Sequence, residues 1–198
     1  MGDSDPVRRL CAAVSAPAGT GHRPLAEVVR QACRTAGLDR LFLQRRASDG
    51  GRSGSWTMVL ALPAGAHEAR VISDLVHWLH EAVTRREPSP AGPLRLAVAF
   101  DQGLTRLDAD GFEGPAITAV CAMSTDERTW AALAAPGPGV AVVLSAALVD
   151  DLAPPHPGDR DLTGFESLAI ALPGRRVAAW LHPPGRRFQL PGPSCERW

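Results

Sequence analysis

Between Leu94 and Phe100 the chain reads LRLAVAF, a short apolar run interrupted only by Arg95. Such a run, bounded by turn residues, predicts a buried strand. Thr105 to Leu107 reads as the returning or continuing arm of a ribbon, and Asp108-Ala109-Asp110-Gly111 as its turn. Gly114-Pro115 then launches a helix, since proline suits a first helical position. Ser124-x-x-Glu127 has the spacing of a capping box and predicts a break, with a second short helix carrying Trp130 and Leu133. The stretch from Leu94 to Leu133 therefore commits the chain to a sheet with a helix laid on it.

At 198 residues the chain suits one domain with a real core. Its 21 basic residues are balanced by 21 acidic ones. Basic residues gather only in small doublets such as Arg85-Arg86, Arg175-Arg176 and Arg186-Arg187, which argues against a nucleic-acid or anionic-membrane partner. Every basic residue is Arg, which excludes Schiff-base and P-loop lysine chemistry. Cys11, Cys33, Cys121 and Cys195 are widely spaced and read as reduced, structural thiols of a cytoplasmic protein. No signal peptide and no membrane span is expected.

Val7 to Val14 predicts a first strand, ending in a loop from Ser15 to Gly19. Leu25, Val28, Val29 and Ala32 recur at helical spacing after Pro24, and Gly37 sits where a C-terminal cap belongs. Leu41-Phe42-Leu43 and Trp56 to Leu62 predict a hairpin around a polar tip, Ser48 to Ser55. Ile72, Leu75, Val76, Leu79 and Val83 form one stripe of a helix from Ala66 to Arg86. Beyond Leu133, Val140 to Leu144 predicts a strand and Ala146 to Leu152 a helical turn. Phe165 to Leu172 and Val177 to Leu181 predict a closing hairpin around Pro173-Gly174. The first half is thus β-α-β-β-α-β, a ferredoxin-like core whose largely antiparallel sheet carries helices on one face, within an α/β (α+β) domain.

This order, with LRLAVAF, the DADGFEG turn, the helix GPAITAVCAM and the strand GVAVVLSAAL, resembles the homology domain of class III nucleotidyl (adenylate/guanylate) cyclases. The LALPAG run looks like the end of that family's central hairpin. FESLAIAL…RVAAWLHPPG, anchored by Phe165 and Trp180, looks like the closing hairpin of small, stand-alone actinobacterial members. The resemblance implies a cyclase-like domain over residues 1–185, with a cyclase-type C-terminal extension and an irregular Pro/Gly/Arg-rich tail at 186–198.

It also implies a chemistry. Two carboxylates hold two metal ions, an Asn orients the ribose, and an Arg stabilises charge on phosphorus in the transition state. The first carboxylate position reads Ser15 here, and no Asp or Glu lies between Asp5 and Glu27. The second falls at Trp56 or a neighbour; the weak acidic candidate Asp49 lies several residues early and reads as a turn residue. The Asn and Arg positions read Thr118 and Ala122, and the adenine-selecting Lys is missing. The expectation is a catalytically degenerate domain with no catalytic residues and no cofactor.

Other constellations read more simply. His77 and His80, three apart on the long helix, read as a solvated face rather than a metal pair. Asp108, Asp110 and Glu113 lack the ligand series of a calcium loop, and Asp150-Asp151 reads as surface. Ser145 is not in a G-x-S-x-G elbow, and His156 with Asp159 to Asp161 is too loosely placed for a triad. Trp56, on the hairpin that reaches the opposite protomer in cyclase dimers, is the interface candidate.

The expected function is a regulatory or scaffolding interaction module, a homodimer or the partner of another protein. Small degenerate members of the family look like parts of multi-gene regulatory or defence systems. The alternative is a residual nucleotide binder, or a cyclase completed by a partner subunit; a small-ligand sensor is the third.

Overall fold

The computed structural model describes residues 5–17, 20, 22–38, 42–47, 55–87, 92–108, 111–134, 136–152 and 161–190. The strands are β1 (Val7–Ala16), β2 (Phe42–Ala47), β3 (Trp56–Ala61), β4 (Arg95–Asp108), β5 (Gly111–Glu113), β6 (Gly139–Ser145), β7 (Glu166–Leu172) and β8 (Arg175–His182). The helices are α1 (His22–Thr35), α2 (Glu68–Thr84), α3 (Pro115–Thr125), α4 (Glu127–Ala132) and α5 (Ala146–Leu152). One sheet runs β2-β3-β1-β4-β6-β8-β7, and β5 pairs with the far arm of β4. The β4–β6 pairing is parallel and the others are antiparallel. The α/β architecture expected from the sequence is the one observed.

Alternation along the strands sends successive side chains to opposite faces. Leu10, Ala12, Val14, Leu96, Val98 and Phe100 face one side, where Leu25, Val28 and Val29 of α1 and the α2 stripe cover them. Ile72, Leu75, Leu79 and Val83 of that stripe are fully buried, each worth about 1.5–3 kcal/mol of transfer free energy. The core helices therefore share one face, as the βαββαβ reading requires.

The extension adds what that reading lacks. Cys11, Ala13, Ala97, Ala99, Ala141 and Val143 point to the opposite side, where α3 packs Ala116, Ala119, Val120 and Met123 on them. The sheet is thus covered on both faces. The alanines of this layer, among them Ala13, Ala97, Ala99, Ala116 and Ala119, let α3 approach the strands closely. A Cβ on Gly103 would already stand 3.2 Å from Ala116 Cβ.

Several boundaries shift from the sequence reading. Ser15 and Ala16 belong to β1 rather than to a loop, because both pair with β3. The strand from Leu94 and the ribbon arm from Thr105 are one continuous strand, β4, whose outer part exposes Leu104 and Leu107. The guanidinium of Arg9 lies over the Phe112 ring, 5.2 Å from its centroid, and ties β5 back to β1. The break between α3 and α4 falls where expected, but the cap is Asp126, whose carboxylate accepts from Arg128 N at 3.0 Å, rather than Ser124. Residues 183–190 form no regular element, yet Phe188 and Leu190 pack against the α1–α2 side of the core. No helix among the described residues is long and apolar enough to cross a membrane.

Candidate functional site

Ser15 lies opposite Thr57 in the β1–β3 pairing, and both point to the α3 face. Ser15 Oγ is 2.8 Å from Thr57 Oγ1 and 2.8 Å from Ser124 Oγ, in the last turn of α3. All three residues are buried. Ser124 also donates to the carbonyl oxygen of Cys121 at 3.0 Å. A hydroxyl has one hydrogen, so this last bond sets the direction of the others. Ser15 donates to Ser124, and Thr57 donates to Ser15. The result is a neutral chain of hydroxyls running from β3 through β1 into the helix.

The residue on the hairpin that shares the Ser15 face is thus Thr57, the immediate neighbour of Trp56. Trp56 pairs with Ala16, and strand alternation turns its indole to the opposite side, where it packs half-buried against the α1–α2 core. On α3, Thr118 is exposed and its hydroxyl donates to the carbonyl of Gly114 at 3.3 Å, one turn back. Ala122, one turn further along, is half-buried against the alanine-rich layer. Thr118 and Ala122 thus lie along one helix whose end reaches Ser15. Asp49 lies outside the described residues.

Ser145 ends β6 and begins α5. Its hydroxyl donates to Asp101 Oδ1 at 2.5 Å and accepts from Leu148 N at 3.2 Å, so it caps a helix. Burial pushes the Asp101 carboxyl above the usual range, and the Ser145 bond partly offsets this. Asp101 went unnoticed in the sequence, although an acid directly after the apolar run LRLAVAF is the signal that marks it. Glu113 pairs with Arg106 at 2.5 Å, and Asp151 pairs with Arg8 across the surface, so neither joins a cation site. The Thr163 hydroxyl, and with it Thr163 N at 2.9 Å, donates to Asp161 and holds its carboxyl below the usual range. Asp110, His156 and Asp159 lie outside the described residues. Among the described residues no group of three or more His, Cys, Asp or Glu side chains is assembled for a metal ion.

His77 and His80 are exposed on α2, as the sequence suggested. They do not stand on a featureless face, however. Both border a cavity shared with His182 at the end of β8 and the segment that follows it. The sequence offered no pattern linking residues about a hundred positions apart.

No family model matches the chain, and no curated protein matches it. Solved structures do. An adenylate/guanylate cyclase/hydrolase from Silicibacter pomeroyi is 18% identical with a TM-score of 0.55, over 91% of this chain and 99% of that one. The catalytic core of a rhodopsin-guanylyl cyclase with converted specificity, in complex with ATPalphaS, is 9% identical with a TM-score of 0.51, over 91% and 99%. The guanylate cyclase domain of RhGC from Catenaria anguillulae, in complex with GTP, is 9% identical with a TM-score of 0.50, over 93% and 100%. The chain has the fold of adenylate/guanylate cyclase domains. The likeness read from its element order holds at the level of fold, and it spans nearly the whole length of those domains.

Proposed function

We propose that this domain acts by binding rather than by turnover, as a cyclase-like regulatory or scaffolding module in the cytoplasm that pairs with a second copy or with another protein. The observation that carries this reading is the Thr57–Ser15–Ser124 chain. Two-metal phosphoryl chemistry needs negatively charged ligands to hold the ions and offset their charge. At the end of β1 stands a neutral hydroxyl whose hydrogen points to Ser124, and its strand partner is a second hydroxyl. On α3, Thr118 directs its hydroxyl into its own helix, and Ala122 carries no polar side-chain atom. These positions suit a packed joint between sheet and helix better than a metal site.

The test is to mix the protein with ATP or GTP and Mn²⁺, follow binding by calorimetry and assay for cyclic nucleotide. The expected result is no product. Binding without product favours a residual nucleotide binder, whereas metal-dependent product overturns the proposal. Pairing is tested by light scattering, with Trp56→Ala as the interface variant and circular dichroism as its folding control. Unchanged mass and unchanged partner capture in a folded variant would remove Trp56 from the interface.

A further inference from the structure

On the α1–α2 side of the sheet, away from Ser15, a cavity of about 460 Å³ opens between α2, the strands β6 and β8, and residues 185–188. That volume lies within the range of small-molecule sites. Its floor is apolar, formed by Val76, Val140 and Val142 with the ring of Phe188 at one side. Its polar wall holds Arg186, Arg187, His77, His80 and His182, and no carboxylate lines it.

The wall is built rather than draped. His182 is buried, and its ring meets Phe165 and Phe188 edge-on at centroid distances of 5.1 and 5.5 Å. Phe165 and Phe188 also meet edge-on, at 6.2 Å. This three-ring cluster pins the segment after β8 to the core and so positions both arginines. A side-chain carbon on Gly164 would stand 3.5 Å from Arg186 Nη1 and 4.0 Å from His182 Nε2, which places the guanidinium beside the imidazole. Among the described residues neither Arg186 nor Arg187 forms an ion pair.

We propose that this cavity binds a small organic anion, a carboxylate or phosphate carried on an apolar, ring-sized body. Two adjacent guanidinium groups beside histidines repel one another and favour an anion placed between them. Their planar forks match the oxygens of a carboxylate or phosphate. The valine floor and the Phe188 ring select for an apolar body over a hydrated inorganic ion. A cation is disfavoured by the arginines, and the three histidines do not gather into one ligand set. Burial, aided by the charge of Arg186, lowers the His182 pKa, so a neutral imidazole faces the ligand at neutral pH. The site lies across the sheet from the hydroxyl chain and does not depend on the absence of turnover.

The experiment titrates the full chain with phenyl phosphate, inorganic phosphate and benzyl alcohol by calorimetry. Phenyl phosphate is expected to bind saturably at one site. Inorganic phosphate is expected to bind at least about tenfold more weakly, and benzyl alcohol not to saturate, because charge and ring act together. The exposed double variant Arg186→Gln/Arg187→Gln should weaken phenyl phosphate by about tenfold or more while leaving the melting temperature in place. Ser73→Trp, at an exposed α2 position on the rim, should block the cavity without entering the core. Equal binding of benzyl alcohol, undiminished binding in both variants, or no saturable binding of phenyl phosphate would each overturn the proposal.

Discussion

Ser15 Oγ and Ser124 Oγ lie 2.8 Å apart, joining the end of β1 to the last turn of α3 across 109 residues of sequence. Each hydroxyl has a second partner, Thr57 for Ser15 and the Cys121 carbonyl for Ser124. Either single alanine substitution should therefore cost about 1–2 kcal/mol, the penalty for leaving buried partners incompletely paired. Because the two hydroxyls share one bond, the double variant should cost less than the sum of the singles, by about 0.5–1.5 kcal/mol. Chemical denaturation of the four proteins measures this. Strict additivity would mean that the contact does not stabilise the fold.

That bond also explains where the sequence was legible and where it was not. The α2 stripe and the strands β4 and β6 declare themselves through large apolar residues at fixed periods. Ser15 does not. Ser-Ala-Pro-Ala-Gly has the composition of a loop, and only Thr57 and Ser124, 42 and 109 residues away, make it a buried strand end. The second layer was equally hard to foresee, since α3 buries Ile117, Val120 and Met123 with Ala116 and Ala119 but is apolar on almost every side, so no polar face marks which side it covers. At the hairpin, a one-residue difference moves a side chain to the other face, so choosing between Trp56 and Thr57 required the pairing register. The cavity was illegible because α2, β8 and the segment after β8 meet only in the folded chain.

His182 should make the domain sensitive to mild acid. Burial lowers its pKa from 6.5, with help from the positive charge of Arg186, so the folded state resists a proton that the unfolded state accepts. The contribution is fully present above the unfolded value of 6.5 and is lost as pH falls through the folded value. His182→Phe, which keeps a ring beside Phe165 and Phe188, should flatten the fall in stability as pH drops below 6.5. Denaturation midpoints across that range compare the two proteins. Parallel curves would show that His182 does not drive the acid response.

The buried cysteines should be silent toward alkylation. Desolvation is the main cause that pushes the thiols of Cys11 and Cys33 up to about 12, with the nearby Asp101 adding to the effect on Cys11. Since the thiolate is the nucleophile, neither should react with iodoacetamide in the folded protein near neutral pH. Cys121 is only partly buried and should react ahead of both. Peptide mass spectrometry before and after unfolding measures the order. Early modification of Cys11 would mean that α3 opens readily from the sheet.

Gly114 should be the least replaceable residue where α3 begins. Its φ is +138°, and a Cβ there would stand 2.5 Å from the Leu104 carbonyl oxygen and 3.2 Å from Thr105 Cα. Backbone strain and backbone overlap act together, so Gly114→Ala should cost about 2–5 kcal/mol. Gly174, in the β7–β8 turn, is the milder case. Its φ is +74°, but nothing lies within 4 Å of an added Cβ. Gly174→Ala should therefore cost only about 1 kcal/mol, the conformational part alone. Urea midpoints of both variants, at unchanged slope, give the comparison. Equal losses would mean that neither the crowding nor the glycine-only backbone region at Gly114 adds to the cost. A larger loss at Gly114 would show that its backbone conformation and the close approach to Leu104 and Thr105 of β4 together require the absence of a side chain where α3 begins.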